Sequence, residues 1–528
     1  MFWRRPTGRS DVIAKDGMVA SSQPLATQAG IEILRNGGNA IDAAVAVAAV
    51  LDVVEPFSTG CGGDAFALLH LSGRKKPLSF NGSGRSGSLA TIDDLLEKGW
   101  TDMPVRGGAP VTVPGAMHLW DFLVRKYGNL ELKEVLSPSI HYAREGFPVS
   151  PLIADSWPHV LRVLINNAAK DTYTIDGRPP VAGETMRNPD LANVFEMVTE
   201  EGVSFFYEGE TADAVSKTIQ EHGGFVTPED LARHETVETE PISTDYRGLE
   251  VFEHPPNGQG FAALIMLNIM EEFEFGKYSP FDADRYHIMI EAKKLAYADL
   301  HAHNADPDHM RVTMESLLSK DYSKGRSASI ELYSSMDNTE PGIQTGHGTV
   351  YLATADSEGN AVSFINSLYM GIGSGLVVEG YGIKLQNRGN LFSLDPSHPN
   401  CYGPNKLPFH TIIPGALYSE GEFHGVFGIM GGAHQAQAHA QFVSNIVDCD
   451  MWPQQALDHP RFNHDQVTNQ VAVESRAPIA LFDSLGSRGH HLIDEKKSGF
   501  GGGQAILRLG DAWIAGSDLR KDGQAAGI

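Results

Sequence analysis

Apolar positions recur at helical spacing in the first part of the chain and at alternating spacing later on. Pro24 to Arg35 carries apolar residues at helical intervals, with Pro in the first turn and Gly37-Gly38 closing it. Asn39 can cap a second helix from Ala40 to about Val54. Ala65 to Leu71 reads as a strand. Amphipathic helices are predicted over 119–127, 188–201 and 283–302. After Thr349 the pattern changes to short strands and turns. Strands are predicted at 382–386, 409–417, 423–429 and 503–509, with a helix from Gln435 to Asp448 among them. There is no long Pro/Ser linker, charge block or internal repeat. Helices first, strands later and no linker predict an α/β (more narrowly α+β) chain forming one interlaced globular domain over residues 1–528.

The sharpest local pattern is a hairpin. In Thr349-Val350-Tyr351-Leu352, Val350, Leu352 and Thr354 alternate, as a β-strand requires. Asp356-Ser357-Glu358-Gly359-Asn360 is turn chemistry, and Ala361 to Ser367 forms the return strand. Pairing Asp356 with Asn360 sets Thr349 opposite Ser367, with Cβ atoms roughly 5 Å apart on one face. A Gly348-Thr349 bond leading into a hairpin that brings a second hydroxyl to the threonine suits a self-cleaving hydrolase with an N-terminal threonine. Thr345 also precedes a glycine and a histidine, but the register sets Thr349, not Thr345, across from Ser367.

Bulk properties narrow the function. The 528 residues are 41% hydrophobic with a formal net charge of -25, which argues against a nucleic-acid partner because phosphate binding needs a basic face. Three cysteines, Cys61, Cys401 and Cys449, form no metal spacing and point to a reducing compartment. The Met1–Pro6 segment has no apolar stretch behind its arginines, and the most apolar run, Ala40 to Val54, is too short to span a bilayer. A cytoplasmic protein without membrane contact is expected.

Several motifs stand in order along the chain: Gly37-Gly38-Asn39-Ala40-Ile41-Asp42-Ala43-Ala44, Val113-Pro114-Gly115, the Thr349 hairpin, Gly371-Ile372-Gly373-Ser374-Gly375, Leu385-Gln386-Asn387-Arg388-Gly389, Gly403-Pro404-Asn405-Lys406-Leu407-Pro408, Gly431-Gly432, and the tail Gly516-Ser517-Asp518-Leu519-Arg520-Lys521-Asp522-Gly523. Each is weak alone. Together they resemble the γ-glutamyltranspeptidase family nearly end to end. The resemblance implies a four-layer αββα sandwich of the N-terminal-nucleophile hydrolase type. It also implies a precursor that cuts itself before Thr349 into a large chain 1–348 and a small chain 349–528, which stay together. No cofactor and no metal are implied; a homodimer is possible.

In that scheme Thr349 is the nucleophile, and its freed α-amine, which titrates near ~8, is the base. Gly348 supplies the carbonyl attacked in self-cleavage and, lacking a Cβ, tolerates unusual angles. Ser367 orients the nucleophile. Gly431 and Gly432, between a strand and a helix, offer backbone N–H groups for an oxyanion hole. Substrate binding departs from the family pattern. An aspartate expected after the Asn pair, to hold an α-amino group, is Leu391. A Ser-Ser pair is His410-Thr411, and the position after Phe80 expected to hold an arginine is Asn81. Arg85 and Arg388 remain as cations for a carboxylate, beside Asn387, His410 and Thr411. The expected substrate is therefore a small amide that bears a carboxylate but no γ-glutamyl amino group, such as oxamate or a dicarboxylic N-acyl compound. A true γ-glutamyltransferase or glutathione hydrolase and a non-catalytic family member are the alternatives.

Other constellations carry less. His434 and His439 have the wrong helical spacing for a zinc pair. His490-His491 beside Gly489 reads as a surface turn. Gly501-Gly502-Gly503 precedes a strand, not a helix, and so reads as a turn rather than a phosphate loop.

Overall fold

The computed structural model describes residues 9–337 and 349–528. Two seven-stranded antiparallel sheets stack face to face between helical layers. In chain-position terms, the first sheet runs Val12–Ala14, Ala512–Ser517, Gly502–Leu509, Glu422–Met430, Gly415–Ser419, Leu249–Glu253, Ile242–Tyr246. The second runs Gln524–Gly527, Gly17–Ser21, Val350–Asp356, Ala361–Ser367, Asp64–His70, Leu78–Gly82, Val237–Thr239. Each sheet draws strands from both sides of residue 348.

Alternation along the strands explains the four layers. In Val350–Asp356, Val350 and Leu352 face a helical layer that includes Pro24–Arg35, Ala40–Val54 and Ala116–Tyr127. Tyr351, Ala353 and Ala355 point the other way and join Val426, Met430, Ile506 and Trp513 between the sheets. Phe427 and Ile429 of the first sheet face the outer helices Gly260–Glu271, Ala283–His303 and His434–Val447. Ser363 stitches the sheets together: it meets the Tyr351 hydroxyl at 2.8 Å and donates to the Phe427 carbonyl at 3.3 Å.

Most predicted elements form close to their expected bounds. Pro24–Arg35 and Ala40–Val54 are helices, and Asn39 caps the second with Asp42 completing the capping box. All fifteen residues of Ala40–Val54 are buried. The predicted strand at 382–386 does not form; Lys384 makes only an isolated bridge to Val377, and its Nζ is held by Asp52 in the interior. The strand expected at 409–417 shortens to Gly415–Ser419. The preceding residues hydrogen-bond away from any ladder: His410 N–H donates to the Asn257 carbonyl, Ile413 N–H donates to Gln435 Oε1, and Thr411 O accepts from Gln259. No helix among the described residues is long and apolar enough to cross a membrane.

Candidate active site

The site lies where the Thr349 hairpin ends between the two sheets. The hairpin has the register the turn chemistry implied: Val350 pairs with Asn366 and Ala355 with Ala361. Asp356 holds the turn, accepting from the Glu358 and Asn360 N–H groups and from Asn360 Nδ2. Thr349 Oγ1 therefore stands 3.0 Å from Ser367 Oγ, with both residues buried. Ser367 Oγ also accepts from the Tyr369 N–H at 2.8 Å.

The loop after Ser367 is strained and braced. Tyr369 and Ile372 adopt φ of 76° and 57°, a region that non-glycine residues rarely occupy. Asn387 Oδ1 accepts from the Met370 N–H, while its Nδ2 donates to the Val105 carbonyl. Arg106 donates to the carbonyls of Gly371 and Gly373. Asn387, expected as a substrate ligand, thus braces this loop, with one bond from each end of its amide to backbone. Arg106 does the same work from a segment that carried no sequence signal.

Gly431 and Gly432 link the Glu422–Met430 strand to the His434–Val447 helix, as expected. Their φ values of 140° and 60° favour glycine. The Gly432 N–H donates to no group among the described residues. Gln259, fully buried ahead of the Gly260–Glu271 helix, donates from Nε2 to the carbonyls of both Gly432 and Thr411. It was missed in the sequence, although the turn-dense run Pro255-Pro256-Asn257-Gly258-Gln259-Gly260 was a usable signal.

On one side of the hydroxyl pair is a sealed charge cluster. Asp64 pairs with Ser367 in strand register, so the two share a face. Asp64 Oδ2 meets His410 Nε2 at 3.0 Å and lies 3.9 Å from Arg388 Nε. Arg388 donates from Nη1 to Thr411 Oγ1 at 2.7 Å and lies over the Tyr369 ring. Asp64, Arg388, His410 and Thr411 are all fully buried. Burial pushes the Asp64 carboxyl up to about 7 against the opposing pull of Arg388. It brings Arg388 down to about 10 and holds His410 well below the ordinary imidazole range. Arg388 Nη2 has no hydrogen-bond partner among the described residues. Leu391 is buried in the outer core. Asp64 had no sequence signal, since a single acid at a strand start looks ordinary.

On the other side Thr349 borders an open cavity of about 550 Å³, whose lining includes Phe57, Gly371, Gly431, Phe500 and Lys521. Arg85 is elsewhere. It pairs with Asp306 at 2.9 Å and donates to the Asn405 carbonyl, and it lines a separate cavity of about 490 Å³. The expectation that Arg85 meets the substrate at Thr349 is corrected accordingly: the turn after Asn81 carries it into that neighbouring cavity. Gly348, His347 and Thr345 lie outside the described residues.

The histidines resolve differently. His439 is buried and satisfied, accepting from the Ile429 N–H and meeting Glu253 at 2.7 Å. His490 is not a surface residue; it is buried against His287 at 2.8 Å. With Glu291 these two imidazoles form a grouping close enough to share a cation, but Lys294 Nζ already stands 2.8 Å from Glu291.

The Gamma-glutamyltranspeptidase family model matches residues 26–528. The chain belongs to the γ-glutamyltranspeptidase family. It is 38% identical to the glutathione hydrolase-like YwrD proenzyme of Bacillus subtilis, covering 98% of this chain and 99% of that protein. It is 32% identical to the oxamate amidohydrolase proenzyme of Klebsiella pneumoniae, with 98% and 99% covered. The crystal structure of cephalosporin acylase from Bacillus halodurans superposes with a TM-score of 0.93 at 44% identity, over 100% of this chain and 98% of that one. The family is thus the one that the ordered motifs resembled, and the fold is that of an N-terminal-nucleophile hydrolase. The chain is an amidohydrolase-type enzyme of this family.

Proposed function

We propose that this protein is a self-processing threonine amidohydrolase that cleaves a carboxylate-bearing small amide through an acyl-Thr349 ester. The observation that carries the reading is the Thr349–Ser367 hydroxyl pair at 3.0 Å, bordering a cavity beside the Gly431-Gly432 turn. In maturation the Thr349 hydroxyl attacks the Gly348 carbonyl, the C–N bond breaks, and the acyl group moves from nitrogen to oxygen. That shift frees the Thr349 amine, and water then cleaves the ester to release the Gly348 carboxylate and the Thr349 hydroxyl. In turnover that amine takes the hydroxyl proton as Oγ1 attacks the substrate carbonyl, and it returns the proton to the departing amine. Ser367 orients Oγ1, and the Gly431-Gly432 N–H groups face the developing oxyanion. Water then hydrolyses the acyl-threonine ester.

Arg388 is assigned to the acyl carboxylate, which has to enter the closed cluster next to Ser367 to meet it. Thr411 and Tyr369 hold it rigidly, and its Nη2 is left with bonding capacity. Leu391, where the family pattern has an aspartate, has no charge for an α-amino group. The names of the oxamate amidohydrolase and cephalosporin acylase relatives are in keeping with this reading. The name of the glutathione hydrolase-like relative favours the alternative, a γ-glutamyl substrate held by different residues.

Purified protein tests the reading directly. The 57.2 kDa chain divides in proportion to length into bands of about 38 and 19 kDa, the smaller beginning at Thr349. The processed enzyme turns over oxamate or dicarboxylic N-acyl amides in preference to γ-glutamyl-p-nitroanilide. A persistent single band, or turnover of the γ-glutamyl anilide at an ordinary transpeptidase rate, overturns it.

A further inference from the structure

At the end of the sheets away from Thr349, five strand connections close around a further open cavity of about 400 Å³. Strand register fixes its place. His70, in its lining, pairs with Ala361, and Asp64 pairs with Ser367. Six residues of strand, about 20 Å, therefore separate this cavity from the hydroxyl pair.

His70 is its floor and is only 6% exposed. The ring stacks on Phe423 with centroids 3.9 Å apart, and Nδ1 meets the Tyr418 hydroxyl at 2.8 Å. The imidazole is thus fixed in place. Its Nε2 has no hydrogen-bond partner among the described residues and is open to the cavity. When Tyr418 donates to Nδ1, Nε2 carries the imidazole proton and presents it to the cavity as a donor.

The charges that reach this donor are cationic. Burial and the guanidinium groups of Arg508 and Arg74 push His70 down to about 4, so it is neutral near pH 7. Neither guanidinium makes a hydrogen bond or ion pair among the described residues; Arg508 rests over the Trp513 ring, 4.3 Å from its centroid. Arg178, Arg461 and Arg520, by contrast, are each bound to carboxylates. Lys15 and Lys75 join the lining with four exposed acids, Asp16, Glu358, Glu422 and Asp511, and none of these six is in an ion pair among the described residues. Four cations against four acids leave the lining balanced as a whole. Attraction for an anion is therefore local to the His70 floor and not a property of the whole face.

We propose that this cavity binds the oxyanion head group of a small molecule, a phosphate or a carboxylate, with Arg74 and Arg508 pairing to it and His70 Nε2–H donating from the floor. The site is separate from the chemistry at Thr349 and does not depend on the function proposed there.

Calorimetric titration of the purified protein near neutral pH and at low salt tests this, with inorganic phosphate and malonate as separate probes. One equivalent of at least one probe is expected to bind with Kd on the order of 1 mM, and the tighter probe identifies the head group. Arg74→Gln and Arg508→Gln should each weaken binding about tenfold, and Arg508→Lys, which keeps the charge but not the fork, about threefold. His70→Phe keeps a ring against Phe423 and should weaken binding as the arginine variants do. Melting close to wild type certifies each fold; should a buried variant not fold, Arg74→Gln, in an exposed turn, decides alone. No binding of either probe, or binding unchanged in the arginine variants, overturns the proposal. An equal loss in Lys75→Met signals diffuse attraction and overturns it too. So does binding that is lost in Lys521→Met instead, which locates the anion in the Thr349 cavity.

Discussion

The two flanks of Thr349 use charge in opposite ways. On the closed flank Asp64, Arg388 and His410 have no solvent contact at all. Their charges are costly to bury, so the cluster is stable only as a set, and its geometry is rigid. On the open flank Arg520 and Glu474 neutralise each other, and Lys521 keeps its charge at the edge of a cavity. A buried, over-determined cation can select one small acyl group with high fidelity. The contrast teaches that charge beside one nucleophile can be held by burial and mutual pairing on one flank and left in reach of an open cavity on the other.

The largest effect belongs to the atom between the flanks. Thr349→Ala is expected to abolish self-cleavage and to reduce amide turnover at least ~10³-fold, leaving one 57.2 kDa band on a denaturing gel. Thr345→Ala should cleave normally; a stalled precursor in that variant would move the nucleophile and dissolve the comparison.

Breaking the closed flank should cost stability. Arg388→Met leaves Asp64 and His410 buried without their cation, an expected loss of ~3–5 kcal/mol in denaturant unfolding. The double variant Arg388→Met with Asp64→Asn should recover most of that loss while remaining unable to select a carboxylate-bearing acyl group. If the single variant unfolds like wild type, the cluster is not the coupled set described.

Gly431→Ala probes the junction of the flanks. A φ of 140° is unfavourable for alanine, and the added Cβ approaches Gly501 Cα at 3.1 Å. The expected result is about a 100-fold fall in kcat with KM little changed, as for a displaced oxyanion donor.

The smallest effect is a slope. The Asp64 carboxyl titrates near 7 in the fold and at 3.8 ordinarily. Between these values the native state holds the proton that the unfolded chain has released. Its contribution to stability is therefore present below pH 4 and is lost as pH rises toward 7. Asp64→Asn should remove that negative slope from the stability profile measured between pH 4 and 7. An unchanged slope would mean that Arg388 keeps Asp64 ionised throughout.

Much of this site was legible because it is local. The Asp356–Asn360 turn carries its own hydrogen-bonding residues, so it dictates the register, and the register dictates that Thr349 faces Ser367. The Gly431-Gly432 turn was readable for a similar reason, lying between a strand pattern and a helix pattern. Arg106 and Asp64 were not readable, because each acts on backbone or charge more than 250 residues away. Arg85 misled for the converse reason: close in sequence to the expected position, it is turned toward Asp306. His490 looked like a loop residue until His287, from a distant helix, was found against it.

The sequence by itself determined the hairpin, its hydroxyl pair, the caps of the early helices and the order of family motifs, since each depends on spacing within a few turns of chain. Only the tertiary structure decided what surrounds each cation. Arg388, Arg85, Arg520 and Lys521 are equivalent as letters. What separates them is the partner each meets across the fold: a buried aspartate, a neighbouring cavity's acid, a saturated ion-pair network, and an open cavity that leaves a lysine's charge unspent.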